Sequence, residues 1–453
     1  MMVELTLSEV EGSFKIKFVD GSWNGLKNLK FILRQSFSIL ICFLAHLCCS
    51  AQQTTTSYKK RVLEAGELDM LFSYYGQDGQ NAAVNGGEGT EELTDATSTL
   101  VLRMPLNKDD VLTIDVGISA YTSASSSNVN PFDSQGRASP FDASSGESRT
   151  DELVYFNPSY SHSSDDRNKI WSAKGYVSNE YDYFSVGFGG SYAYLFNEKN
   201  TEISISGQVF LDSWNPQYPV ELRGGFAENI AGYDPIFERF ENENRNSYSL
   251  SFGFSQILTK RIQGSLSVDL VAQNGLLSTP FQRVYFGDVQ DFFIEDFQLA
   301  DDVERLPDTR FKVPIGGRLN YYLNDIIVLR SYYRYYFDDW GIQSHTASLE
   351  VPVRLSDKFT IYPTYRYYQQ TAADYFFQKE IAQSTFDFYT SDFDLSEYTA
   401  NQYGFGVQYK DILTKTRLFL FGLKTIDLRF NYYDRSDGLT ASILTLGTTF
   451  IVD

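Results

Sequence analysis

Residues 110–122 read DVLTIDVGISAYT, and their alternation decides the fold. Leu112, Ile114, Val116 and Ile118 fall on one face, while Thr113, Asp115, Gly117 and Ser119 fall on the other. A period of two is the mark of a strand with one apolar and one polar side. It recurs in IQGSLSVDLVAQ (262–273), where Ile262, Leu266, Val268 and Leu270 oppose Gln263, Ser265, Ser267 and Asp269. SYSLSFGFS (247–255) and TIDLRFNYY (425–433) repeat it. A soluble sandwich also alternates, but its strands run to about five or six residues and its aromatic stretches lie buried. After Gln53 no apolar run approaches the ~20 residues of a membrane helix. Alternation over about ten residues is instead what a membrane barrel strand requires.

Composition agrees. Aromatic residues make up 16% of the chain, mostly Tyr and Phe, yet mean hydropathy is -0.29. A barrel wall is apolar only at every second position and aromatic at its rims, so both can hold together. The formal net charge of -20 argues against nucleic-acid binding, which needs a basic footprint.

Lys27, Lys30 and Arg34 precede an apolar run from Phe37 to Leu47, followed by the small residues Cys49-Ser50-Ala51 before Gln52. This is the layout of a secretory signal peptide, with cleavage expected after Ala51. Residues 1–25 have no place in that layout and suggest a start codon placed too far upstream. All three cysteines, Cys42, Cys48 and Cys49, lie in this leader. Disulfides and thiolate-held metal are therefore not expected in the remainder. The expected organisation is a cleaved leader (1–51), a periplasmic N-terminal segment (52–66) and a barrel (67–453).

The spacing of turns fixes the kind of barrel. Short polar turns are expected at 106–110, 163–168, 197–200, 258–261, 323–325, 356–358 and 410–415. Longer connections alternate with them at 76–95, 122–151, 213–245, 274–309 and 371–399, with brief ones near 180–182, 338–341 and 435–438. Short turns on one side and long loops on the other predict an all-β transmembrane antiparallel barrel. Its short turns would be periplasmic and its long loops extracellular. Sixteen strands fit between these turns, an even number that leaves both termini on the short-turn side. Phe450, near the end of the last strand, suits a barrel-assembly signal.

The stretches YKKRVLEAGELDMLFSYYGQDGQNAAVNGGEGTEELTD (58–95), DVLTIDVGISAYTSASSSNVNPF (110–132), YSHSSDDRNKIWSAKGYVSNEYDYFSVGFGG (160–190), LFNEKNTE (195–202) and FQLADDVERLPDTRF (297–311) resemble a family of Gram-negative outer-membrane barrels catalogued as a domain of unknown function. The resemblance spans about Tyr58 to Asp453. It implies a place in the outer membrane among its lipids. It also implies neighbouring genes for a small lipoprotein, thioredoxin-like proteins and a flavin transferase. The family offers no catalytic residues to carry over.

With the apolar face toward lipid, alternation aims Arg318, Arg330, Arg334, Arg354 and Arg366 inward from strands ten to thirteen. Asp115, Asp182, Glu202 and Asp269 point inward from strands three to nine. Facing basic and acidic walls would set a transverse field across a lumen. Three readings stay open: a conducting pore, a plugged barrel, and a polar interior that is solvated without throughput. The acidic-aromatic segments GDVQDFFIEDFQLADDVERLP (287–307) and DYFFQKEIAQSTFDFYTSDFDLSEYT (374–399) suit a ligand platform, calcium sites, or aromatics packed on one another.

DASSGES (142–148) ends a Ser- and Gly-rich surface loop and resembles the acceptor motif of covalent flavin attachment, with Ser148 as the acceptor of FMN. Asp142, Ser145, Gly146 and Ser148 match, and Glu147 stands where the motif has alanine. For hydrolysis the chain beyond the leader offers only His162 and His345, neither near a GxSxG serine, so an enzyme is not expected. The expected function is a porin-like channel for small solutes or ions. The alternative is a structural barrel that holds or displays a lipoprotein or flavin-linked redox partner.

Overall fold

The computed structural model describes residues 61–122, 150–224, 230–240, 243–294, 297–418 and 420–452. Ser148, the surface loop expected around it and the expected leader lie outside these residues. Sixteen long strands follow one another around a ring. They are β1 (Gly66–Asp78), β2 (Leu93–Pro105), β3 (Asp110–Thr122), β4 (Thr150–Ser163), β5 (Lys169–Asn179), β6 (Tyr183–Phe196), β7 (Thr201–Trp214) and β8 (Asn244–Thr259). The ring continues with β9 (Ile262–Gly275), β10 (Thr309–Tyr322), β11 (Val328–Asp338), β12 (Gln343–Glu350), β13 (Phe359–Gln370), β14 (Tyr398–Lys410), β15 (Phe421–Arg435) and β16 (Thr440–Val452).

Each pairs antiparallel with its neighbours, and β1 also pairs with β16 from Gly66↔Val452 to Asp78↔Thr440. The sheet is therefore closed, which removes the edges that would otherwise seek partners. Val353–Arg354 and Arg417–Leu418 add two-residue pairings to β13 and β15 at the short-turn end. β12 is the shortest of the sixteen because Pro352 lacks an N–H and interrupts the ladder beyond Glu350.

Alternation assigns the two faces. On β6 the side chains of Phe184, Val186, Phe188, Tyr192, Tyr194 and Phe196 are all exposed. They pair in register with Ile203, Ile205, Val209 and Leu211 of β7, building a continuous apolar outer wall. Gly190 and Gly207 leave a gap in that wall, a groove of about 510 Å³ flanked by Phe188, Val209, Tyr248, Leu250 and Phe311. No helix among the described residues is long and apolar enough to cross a membrane.

The inner face is polar. Arg429 of β15 reaches Glu350 of β12 at 3.0 Å across three strand positions. A side chain can span about 14 Å of wall in this way only over the concave side. Buried apolar residues gather not in the barrel but in the connections at its long-loop end, in three clusters.

Candidate functional site

The basic part of the inner wall runs over β10 to β13. Register places Arg318 beside Tyr332, Arg334 beside both Gly316 and Thr346, and Arg366 beside Ser348. Arg318 stacks on the Tyr332 ring at 4.9 Å. Arg330 bonds Glu350 at 2.8 Å, and Glu350 is shared with Arg429, which also holds Asp427 at 2.7 Å. Arg429 lies over the Tyr362 ring at 4.9 Å, and Tyr362 donates to Gln408 at 3.0 Å. A ribbon of paired charge thus crosses β11 to β15.

Arg354 departs from the expected ladder. It sits in the short-turn rim beyond Pro352, and its guanidinium donates to the Asp325 carbonyl at 2.8 Å. The proline that ends β12 carries Arg354 out of the wall and into a turn.

The acidic residues expected on the other side are distributed over several strands. Asp115 accepts from Tyr155 at 3.1 Å on the inner face. It lies on β3, eight strands from β11 and so diametrically opposite Arg330 and Arg334. Glu202 and Asp269 fall on the inner face by register, opposite Leu195 and Ser251. Glu67 and Asp69, which alternation also marks, are held by Arg103. Asp182 is not on a strand: it sits in the turn after β5 and accepts from Trp214 at 3.1 Å. Oxygens of Asp151, Glu180 and Asp182 lie within 4.8 Å of one another at that rim. Glu180 already accepts from Tyr121 at 2.9 Å, and burial raises the pKa of both Glu180 and Asp182.

His162 and His345 both lie on the outer wall. His162 pairs with Asp110 at 2.6 Å and packs on Trp171, while His345 bonds the Tyr333 hydroxyl at 2.7 Å. These are rim aromatics of a barrel wall, placed by the same alternation that faces Val154 and Phe156 outward.

Over the long-loop end the connections fold into a cap. Val284, Phe286, Ala382 and Tyr389 form one cluster, with Phe286 edge-on to Tyr389 at 4.9 Å. Leu222, Ala300 and Val303 form a second, and Leu277, Leu306 and Trp340 a third. The acidic-aromatic segments therefore pack their rings on one another, and their carboxylates serve the cap.

The centre of the cap is Arg283, which is 0% exposed. Its Nε and Nη2 donate to Glu221 at 2.6 and 3.1 Å, its Nη1 donates to the Val84 carbonyl at 3.2 Å, and its guanidinium covers the Phe297 ring. Arg283 belongs to the β9–β10 connection and Val84 to the β1–β2 connection. These connections are eight strand positions apart, so loops from opposite sides of the ring meet over the mouth. The approach demands glycine at residues 86 and 87, where φ is +77° and +89°. A Cβ on Gly87 would come within 3.0 Å of the Ser391 carbonyl oxygen. Gln370 ties the cap to the wall by donating to the Asp394 and Ser396 carbonyls at 2.9 and 2.6 Å, and Arg435 adds an ion pair to Asp394.

The cap holds buried carboxyls. Burial, helped by the nearby Asp392 charge, pushes Glu304 up to about 8, and burial lifts Asp301 to about 6. A carboxyl raised in the closed cap holds its proton more tightly there than in an opened one. Its stabilising contribution is therefore complete below the ordinary value of 4.5 and is lost as pH rises through about 8. Cap amides should exchange at least ~10-fold faster at about pH 9 than at about pH 5, after correction for intrinsic rates. Glu304→Gln should flatten that dependence. Equal dependence in the two proteins would assign it to another group.

A family described as "Protein of unknown function (DUF3570)" matches residues 38–449. The chain belongs to this family. Family membership and the sixteen-strand ring agree with the outer-membrane barrel class that the sequence resembled. Among curated proteins none matches the chain.

Several solved structures are similar to this chain at low identity. A bacterial polysaccharide outer membrane secretin is 11% identical with a TM-score of 0.42, over 86% of this chain and 100% of that one. A BenF-like porin from Pseudomonas fluorescens Pf-5 is 7% identical with a TM-score of 0.39, over 86% and 100%. The TodX monoaromatic hydrocarbon channel deltaS2 mutant is 10% identical with a TM-score of 0.39, over 86% and 91%.

Sequence reasoning missed Glu350, Asp427 and Arg429, although their parity on alternating strands was there to find them. Arg283 and Glu221 carried no such signal. They lie 62 residues apart in connections without periodicity.

Proposed function

We propose that the protein is a porin-like conduit of the outer membrane for small solutes or ions, with its long-loop mouth closed by the cap in the state described here. The observation that carries this reading is a closed sixteen-strand ring whose inner wall is charged and hydrogen-bonded rather than packed with apolar side chains. A wall of that kind is compatible with water inside, and sixteen strands enclose enough width for an aqueous channel. The apolar outer wall and aromatic rims suit a bilayer, and the cap supplies a closed state.

Purified protein in planar bilayers should give discrete conductance steps, more frequent when the cap is loosened by Arg283→Met. A barrel that stays silent in both forms would overturn the conduit. It would leave the second reading, a barrel whose spanning cap presents or holds a partner protein, as the better account.

A further inference from the structure

The geometry points to a binding site for a small oxyanion, a carboxylate or a phosphate, on the lumenal wall between Arg334 and Arg366. This inference rests on the lumen reading above and names the chemistry that the lumen would take.

Three inward guanidiniums on this wall, Arg318, Arg334 and Arg366, have no carboxylate partner among the described residues. The inward carboxylates of these strands are already taken, Glu350 by Arg330 and Arg429 and Asp338 by Arg310. The wall therefore keeps positive charge that its own acids do not answer.

A second observation marks the place. Thr346 is only 3% exposed, yet its Oγ1 has no hydrogen-bond partner, and neither has Arg334 Nε. A buried hydroxyl and a buried guanidinium N–H left without acceptors are uncommon in folded proteins. Thr346 faces Arg334 directly across β11 and β12. Arg366 faces Ser348, so it lies on the diagonal from Thr346, about 7–8 Å away by strand geometry and within reach of a long side chain. Arg318 occupies the same diagonal relation to Arg334 from β10.

The donors thus missing acceptors are a guanidinium Nε, a hydroxyl, and the fork of a second guanidinium. Planar forks of this kind match the two oxygens of a carboxylate or phosphate. Tyr332, two residues from Arg334, and Tyr368, opposite Thr346, share the inner face with the site.

The test is calorimetric titration of the full detergent-solubilised barrel in a chloride buffer, with inorganic phosphate in one arm and acetate in the other. At least one anion should bind saturably. Arg334→Gln combined with Arg366→Gln should weaken it by at least ~10-fold. Thr346→Val, which keeps shape and charge, should weaken it by roughly three- to tenfold. Arg103→Gln removes one positive charge from a different part of the wall and should leave affinity unchanged. Absence of binding for both anions, or equal loss in Arg103→Gln and the double variant, would overturn the site. The conduit reading fails separately: silent bilayers with saturable, Thr346-dependent binding would remove the channel and keep the site.

Discussion

Arg283→Met should loosen the cap by about 3–5 kcal/mol, because it leaves the buried Glu221 side chain without its partner. Glu221 is itself 0% exposed, and among the described residues its only other acceptor contact is a long one from the Ala300 N–H at 3.4 Å. At 1.36 kcal/mol per decade, such a loss shifts the opening equilibrium by roughly 10²–10⁴-fold. Amides and protease sites in residues 276–308 and 371–397 should become correspondingly accessible, while the barrel still shifts on gels when heated. The double variant Arg283→Met with Glu221→Leu replaces the pair with apolar groups and should regain most of the protection, since swapping a buried ion pair for packed side chains is often near neutral. Protection that survives the single variant would mean that the three apolar clusters hold the cap without the ion pair.

In the conducting state, Arg318→Gln, Arg334→Gln and Arg366→Gln together should shift selectivity toward cations. A fully selective pore develops ~59 mV across a tenfold gradient of monovalent salt, and removing three unanswered charges should move the reversal potential by roughly 20 mV. Arg330 is left in place because Glu350 already neutralises it at 2.8 Å. The acidic residues of β1, β3, β7 and β9 would then dominate the field. Measurement in the Arg283→Met background provides open channels. An unchanged reversal potential there would show that permeating ions do not meet this wall.

Alternation along 110–122, 262–273 and 425–433 was enough to predict strands, their inner and outer faces and the ring that they build. The reason is geometric: in a strand the side-chain period is two, so each charged residue is assigned a face by parity alone, and a charge on the lipid face is costly. Arg318, Arg330, Arg334 and Arg366 were legible in this way. Turn composition placed the connections to within a few residues, as at 180–182 and 197–200, where bounds and strand ends agree.

Parity does not say who pairs with whom, nor what happens where a proline breaks the ladder. It took register to show that Arg330 is spent on Glu350 while Arg334 is not, and to move Arg354 from the wall to the rim. The cap was beyond periodicity altogether. Val84, Glu221 and the pair Arg283 and Glu304 lie in three separate connections of irregular chain, brought together only because ring closure sets opposite loops over one mouth. The sequence by itself determined the barrel, its two faces and its two unlike ends, since these follow from local repeats of two residues and from turn chemistry. Only the tertiary structure decided that the mouth is spanned and which charges are left unanswered, because both depend on contacts between residues far apart in the chain.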